Sequence, residues 1–220
     1  MNEPLAYAER PADGQAEGLL VLHHGRGSGE HDLITLADAL DPERHLHIVT
    51  PRAPLQFPGM PGNHWYIVPR VGYPDAATFG SSYLELAAFH DDLWARTGVG
   101  PERTVLGGFS QGTVMSYALG LGPDRPSVAG ILALSGFIPT VEGWHADLPG
   151  HADTRVFMAH GRRDPVIDVE FARLADRRLS DAGLEHEYHE SDAGHHVDPS
   201  QLPLIQAWIE AALTLPAGGR

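Results

Sequence analysis

Val105-Leu106-Gly107-Gly108-Phe109-Ser110-Gln111-Gly112 carries a serine flanked at two residues on either side by glycine, the pattern G-x-S-x-G. Such a spacing suits a chain that leaves a strand and enters a helix in one sharp turn, with the serine at its apex. The serine is then strained, and the positions two before and two after it have no room for a side chain. The flanks agree. Thr104-Val105-Leu106 is β-branched and apolar, as a buried strand should be, and Gln111 to Leu121 reads as a helix with Val114, Met115, Ala118 and Leu119 facing inward.

Working outward, the same alternation recurs. Leu5 to Arg10 is a short first strand. Gly18 to His23 is a continuous apolar run that ends in the glycine-rich turn His24-Gly25-Arg26-Gly27-Ser28-Gly29. Asp32 to Leu40 reads as a helix burying Leu33, Leu36, Ala37 and Leu40, stopped by Asp41-Pro42. Leu46 to Thr50 is the next strand, and Pro51 to about Ser81 is a long Pro- and Gly-rich loop carrying Trp65, Tyr66, Arg70 and Tyr73. Ser82 to Thr97 is a helix with Leu86, Phe89, Leu93 and Trp94 inside. Val128 to Leu134 is a strand, followed by an irregular stretch to Asp153 and a strand over Arg155 to His160. Asp168 to Asp181 is a helix with Phe171, Leu174, Ala175 and Leu179 inside and Gly183 beyond its end. Glu185 to Glu190 is a strand near the sheet edge, and Ser200 to Leu213 is a last helix burying Leu204, Ile205, Trp208 and Ile209. Strands alternating with helices predict an α/β fold, a mostly parallel central sheet covered by helices on both faces. Sites in such sheets lie beyond the carboxyl ends of strands.

The 220 residues suit one domain over 1–220, with a frayed tail at about 216–220. No repeat, linker or low-complexity tract divides them. A formal net charge of −14 argues against a general nucleic-acid surface and against anionic membrane. No apolar run is long enough to span a membrane. Met1-Asn2-Glu3-Pro4-Leu5 holds no basic segment followed by an apolar one, so no secretory signal is expected and a cytoplasmic location is. The absence of cysteine excludes disulfides, thiolate chemistry and cysteine zinc sites.

A serine hydroxyl is a weak nucleophile and needs a base within roughly 3 Å, itself oriented by a carboxylate. Two post-strand segments follow Ser110. His160-Gly161-Arg162-Arg163-Asp164-Pro165 offers Asp164 as the acid, its backbone biased from helix by Pro165. Asp192-Ala193-Gly194-His195-His196 offers the base, with His195 and His196 both open on residue chemistry and Asp192 read as part of the loop. Acyl transfer also requires N–H groups aimed at the developing oxyanion. Gln111, at a helix N-terminus, supplies one, and the turn after the Gly18 strand supplies the other through Arg26. That turn lacks the lysine and spacing of a P-loop and the G-x-G-x-x-G pattern, which argues against a nucleotide.

These residues resemble the phospholipase/carboxylesterase family of α/β-hydrolases, which includes bacterial carboxylesterases and acyl-protein thioesterases. The matching pieces are Leu22-His23-His24-Gly25-Arg26-Gly27, Pro51-Arg52-Ala53-Pro54, Trp65-Tyr66, Gly108 to Gly112, Leu134-Ser135-Gly136-Phe137, His160 to Ile167 and Gly194-His195-His196-Val197. They arrive in family order over nearly the whole chain. The resemblance implies an α/β-hydrolase fold, with Ser110 as nucleophile, Asp164 as acid and His195, the histidine after the glycine, as base. It also implies an oxyanion hole of the Arg26 and Gln111 N–H groups. The chain departs from eukaryotic thioesterases of the family, which carry Leu-Gly-Asp after His-Gly, whereas here Arg26-Gly27-Ser28 follows. The loop from Phe57 to Gly80 is also unusually rich in Pro and Gly.

The expected activity is that of a serine carboxylesterase acting on short- to medium-chain esters through an acyl-enzyme. Acyl-thioesterase or lysophospholipase-like activity is the alternative, and a catalytically silent hydrolase used as a binding module a minor one. The two irregular stretches are too small for a separate cap domain, so the site should be open and walled by loops. Trp65, Tyr66, Phe109, Phe137 and Ile138 are the expected apolar wall; the acidic net charge gives no reason to expect a preference for polyanionic substrates, although Arg26 and Arg70 could hold one carboxylate or phosphate locally. Fourteen histidines raise a metal, but adjacent strand residues face opposite ways and no H-E-x-x-H spacing occurs, so neither metal nor cofactor is expected. A small ester is the expected partner, with a homodimer left open.

Overall fold

The computed structural model describes residues 4–214. The tail expected over 216–220 lies outside them. Seven strands join one sheet: β1 (Tyr7–Arg10), β2 (Gly18–His23), β3 (Leu46–Pro51), β4 (Thr104–Phe109), β5 (Gly130–Leu134), β6 (Arg155–Gly161) and β7 (His186–Ser191). Their order is β1-β3-β2-β4-β5-β6-β7. Only β1 runs antiparallel, pairing Tyr7 with Pro51 and Arg10 with Ile48, and every other pair is parallel. The α/β-hydrolase fold expected from the sequence is therefore the fold observed, and the described residues hold no cap domain.

The sheet is buried on both faces because its central strands are largely apolar, polar residues such as His23 and Thr104 standing at their ends, and alternation sends successive residues to opposite sides. Leu19 and Val21 of β2 join one core with Leu106 and Ile131. Leu20 and Leu22 join the other with Ile48, Val105, Leu132 and Phe157. Helices α2 (Ala76–Thr97), α3 (Gln111–Gly120) and α4 (Glu170–Ala182) cover the first face through Leu86, Leu93, Val114 and Leu179. The short α1 (Ala37–Leu40) and α5 (Leu202–Thr214) cover the second through Leu40, Ile205 and Trp208.

Four expectations need correction. Helix α2 begins at Ala76, six residues earlier than Ser82. The Asp75 carboxylate accepts the Thr78 N–H at 2.9 Å, an N-cap that lies before the apolar period begins. The Asp32–Leu40 helix is split, Leu33–Leu36 being a tighter 3-10 turn that runs into α1. Leu174 and Leu204, expected inside, are 49% and 50% exposed. Each sits one residue from the covered face, where Ala175 and Ile205 take the core position. Helix α3 exceeds its expected inner face, since all ten of its residues are buried.

Candidate active site

Strand β4 delivers Ser110 to the carboxyl edge of the sheet, and α3 starts at the next residue. Ser110 has φ 55° and ψ −117°, a conformation that L-residues rarely adopt. The glycines around it are needed for close approach. A Cβ on Gly112 would run into the His23 carbonyl, and one on Gly108 would meet the Gly112 backbone. The Ser110 N–H donates to Leu134 O at 2.9 Å, which ties the turn to β5.

Asp164 lies in the turn after β6 and His195 in the loop after β7. The structure brings both to Ser110. His195 Nδ1 is 2.6 Å from Asp164 Oδ2, and His195 Nε2 is 2.9 Å from Ser110 Oγ. A carboxylate only accepts, so Nδ1 donates to Asp164, and the Ser110 hydroxyl donates to the bare Nε2. Asp164 is fully covered, while 17% of the His195 side chain meets solvent. Burial pushes the Asp164 carboxyl up, but the His195 hydrogen bond and the Ile167 and Val166 N–H groups outweigh it and hold it below the usual carboxylate range. Those N–H groups donate to Oδ1 at 2.9 and 2.8 Å. His196 is exposed and stays off this line. Asp192 pairs with Arg162 at 2.7 Å instead of meeting His195. Its backbone neighbour Ala193 accepts from Arg163 N–H at 3.1 Å, so the two loops are laced together.

Three supporting side chains carried no signal of their own in the sequence. His160 stands behind Asp164, with Nε2 2.8 Å from Ile167 O and 3.4 Å from Asp164 Oδ2. Both are acceptors, so Nε2 carries the proton and points it into the acid turn. The Gln111 side chain clasps the long loop, accepting Trp65 N–H at 2.9 Å and donating to Tyr66 O at 2.7 Å. His24 accepts Ala53 N–H on Nε2 at 3.0 Å, and its Nδ1–H donates to Gly25 O at 2.7 Å. Asn63 completes this lacing, since Gly27 N–H donates to its carbonyl at 2.9 Å. The turn carrying Arg26 is therefore fixed from two sides. The contacts that His24 and Gln111 make to the long loop span 29 to 46 residues of sequence, which no local pattern reports.

A cavity of about 410 Å³ opens over Ser110. Gly25, Arg26 and Gln111 line it together with Ser110. The Gln111 N–H belongs to the first turn of α3, where N–H groups have no intrahelical acceptor and the helix dipole favours negative charge. Tyr66, Phe109, Phe137, Arg70 and Tyr73 line it as well. The Phe109 ring packs against His195 with centroids 4.9 Å apart. Two residues expected in the wall lie elsewhere. Trp65 is fully buried away from the cavity lining, and its indole N–H donates to His24 O at 2.8 Å. A buried indole needs an acceptor for its N–H, and the backbone of the His24 turn supplies it. Ile138 borders a second, smaller hollow of about 100 Å³ between Phe137, Phe171 and Arg178. Residues that sequence reading left out of the wall include Met60, His64, Val68 and Val166. No group of three or more His, Asp or Glu among the described residues is arranged to hold a metal.

Residues 9–213 match the model of the phospholipase/carboxylesterase family. Acyl-protein thioesterase 1 of Yarrowia lipolytica is 30% identical over 186 residues, 78% of this chain and 80% of that protein. The crystal structure of esterase PE8 is 31% identical with a TM-score of 0.80, covering 96% of this chain and 100% of that one. The Bacillus cereus carboxylesterase, at 21% identity, shares the fold with a TM-score of 0.81 over 94% of each chain.

Proposed function

The chain belongs to the phospholipase/carboxylesterase family and is a carboxylic ester hydrolase, and from that premise we propose that it cleaves short- to medium-chain carboxylic esters through an acyl-enzyme on Ser110. The observation that carries this reading is the line from Asp164 through His195 to Ser110, with hydrogen bonds of 2.6 and 2.9 Å. Ser110 Oγ attacks the ester carbonyl as its proton passes to His195 Nε2. Asp164 keeps the imidazole in the tautomer that accepts and stabilises the imidazolium that forms. The Arg26 and Gln111 N–H groups receive the oxyanion. The imidazolium returns the proton to the leaving alcohol, and water then repeats the sequence on the acyl-enzyme.

A cavity of about 410 Å³ is near the low end of small-molecule sites, which run roughly 300–1,000 Å³. Each buried methylene contributes about 0.8 kcal/mol, so a site of this size rewards the first several carbons of an acyl chain and few beyond them. We assign the chain one hydrolase domain and a cytoplasmic place as part of the same reading. No helix among the described residues is long and apolar enough to cross a membrane. A second reading, acyl-thioester cleavage, is favoured by the relative in Yarrowia lipolytica named as a thioesterase.

The test is a panel of oxygen esters and thioesters of increasing chain length, with Ser110→Ala as control and a fluorophosphonate to label the nucleophile. The expected result is a single label on Ser110 and turnover that peaks among soluble short and medium chains. Negligible turnover of short aryl esters beside efficient cleavage of long-chain lipid or of peptide bonds would sink the proposal. A large preference for the thioester arm would transfer it to the second reading.

A further inference from the structure

The chain has no lysine, and its basic residues, all arginine, are heavily outnumbered by acids. Most described arginines are consumed in ion pairs, such as Arg52 with Glu30 and Arg173 with Glu190. Arg26 and Arg70 have no carboxylate partner among the described residues, and both line the cavity over Ser110. Arg70 lies flat on the Tyr73 ring, its guanidinium carbon 3.7 Å from the ring centre. A turn holds the pair together, with Tyr73 N–H donating to Arg70 O at 3.0 Å. Stacking occupies the face of a guanidinium and leaves its in-plane N–H donors free, in the fork that matches a carboxylate. None of those donors has an acceptor among the described residues.

Arg26 bears on His64, a cavity residue only 2% exposed whose Nε2 is buried without a hydrogen-bond partner. Burial first, and the Arg26 charge second, hold that imidazole below its usual pKa. Asp32 also lines the cavity, pairs with neither arginine and sets one negative charge against two positive. The rest of the lining is largely apolar, through Val68, Phe109, Phe137 and Ile167.

We propose that the cavity selects esters carrying a carboxylate at the end of an apolar spacer, the half-esters of dicarboxylic acids, with Arg70 and Arg26 holding the carboxylate while the ester carbonyl lies at Ser110. This rests on the reading of Ser110 as nucleophile and adds the class of substrate it serves. The whole-molecule charge of −14 repels anions, so a preference for them has to come from these two local side chains.

The test compares two aryl esters of equal length, one ending in a carboxylate and one in the corresponding neutral amide. At low ionic strength kcat/KM should favour the carboxylate by roughly ten- to a hundredfold, the range for a charge-assisted contact. The advantage should appear mostly in KM, shrink as salt rises, and drop in Arg70→Gln and in Arg26→Gln. The neutral ester serves as internal reference for folding and chemistry in each variant. Brisk cleavage of the neutral ester with a ratio at or below one overturns the selectivity alone. A preference that survives both substitutions overturns the role of the arginines. Failure to cleave either ester, with no fluorophosphonate label on Ser110, overturns the hydrolase reading and the selectivity together. A phosphate-ended ester of the same length is a third arm, and a larger advantage for it would overturn the assignment to carboxylate.

Discussion

Ser110 holds a backbone conformation that costs about 1–3 kcal/mol and survives because its surroundings leave no alternative. Its N–H is fixed to Leu134 O, the following helix is wholly buried, and His23 presses on Gly112 from below. Three histidines near it should answer mutation differently. His195→Ala should lower kcat by several orders of magnitude, as should Ser110→Ala, because each removes a member of one cooperating unit. His196→Ala should be close to neutral, since that ring is exposed and off the line. His160→Phe should fall between, at about a tenfold loss in kcat, the worth of one hydrogen bond that aims Asp164. Steady-state kinetics on a short aryl ester checks the series. A lethal His196→Ala beside a tolerated His195→Ala would reverse the assignment of the base.

At the scale of elements, burial is decided by which face of each helix the sheet covers. Leu204 and Ile205 are adjacent in α5, yet one is 50% exposed and the other wholly buried. Ile205→Ala should therefore destabilise the protein by about 2–5 kcal/mol, through lost burial and the cavity left behind. Leu204→Ala should change stability by no more than about 0.5 kcal/mol. Denaturant titration of the two variants measures the difference directly, and equal losses would mean that α5 is rotated from the orientation described. Helix α2 shows the converse problem of boundary. Its cap at Asp75 and first turn, Ala76 to Phe79, precede the stretch where Leu86, Phe89 and Leu93 make the period visible. A cap reads as a turn until its N–H partner is known.

For the whole molecule, acid should be the weak side. His23 and His90 are buried with their Nε2 atoms 3.0 Å apart. Burial drives His90 down to about 3, and burial followed by the His90 charge drives His23 well below its usual value. Arg125 also lowers His90, and Asp91 opposes it more weakly. The unfolded chain binds protons at these histidines below about pH 6.5 and the folded chain does not. Stability should thus be flat near neutrality and fall as pH drops below about 6.5, by at most about 1.4 kcal/mol per pH unit for each histidine. Glu30 and Glu190, held at about 2 by Arg52 and Arg173, add a second loss. Their contribution is complete above the unfolded value of about 4.5 and fades as pH falls from there toward 2. Urea midpoints followed by circular dichroism across this range check both windows, with His90→Gln expected to show a shallower first decline. A midpoint unchanged between about pH 8 and 5 would mean that the buried pair accepts protons without cost.

The sequence by itself determined the α/β alternation, the succession of strands and helices along the chain and the sharp turn at Gly108 to Gly112, because these depend on local periodicity and on glycines within a few residues of one another. It also determined that Ser110, Asp164 and His195 each follow a strand, and a parallel sheet delivers all such segments to one edge. Only the tertiary structure decided which side chains turn toward that edge. Residue chemistry favours His195 over His196 only mildly, through the glycine before it, since adjacent residues differ mainly in the direction the folded loop gives them. Trp65 and Tyr66 read alike as loop aromatics, but the Trp65 indole is buried on the His24 carbonyl while Tyr66 borders the cavity. The support from His160, Gln111 and Asn63, and the want of a carboxylate partner at Arg26 and Arg70 among the described residues, are properties of distance across the fold. Hydrogen bonds and ion pairs form between neighbours in space, and sequence order constrains those neighbours only after the sheet has been assembled.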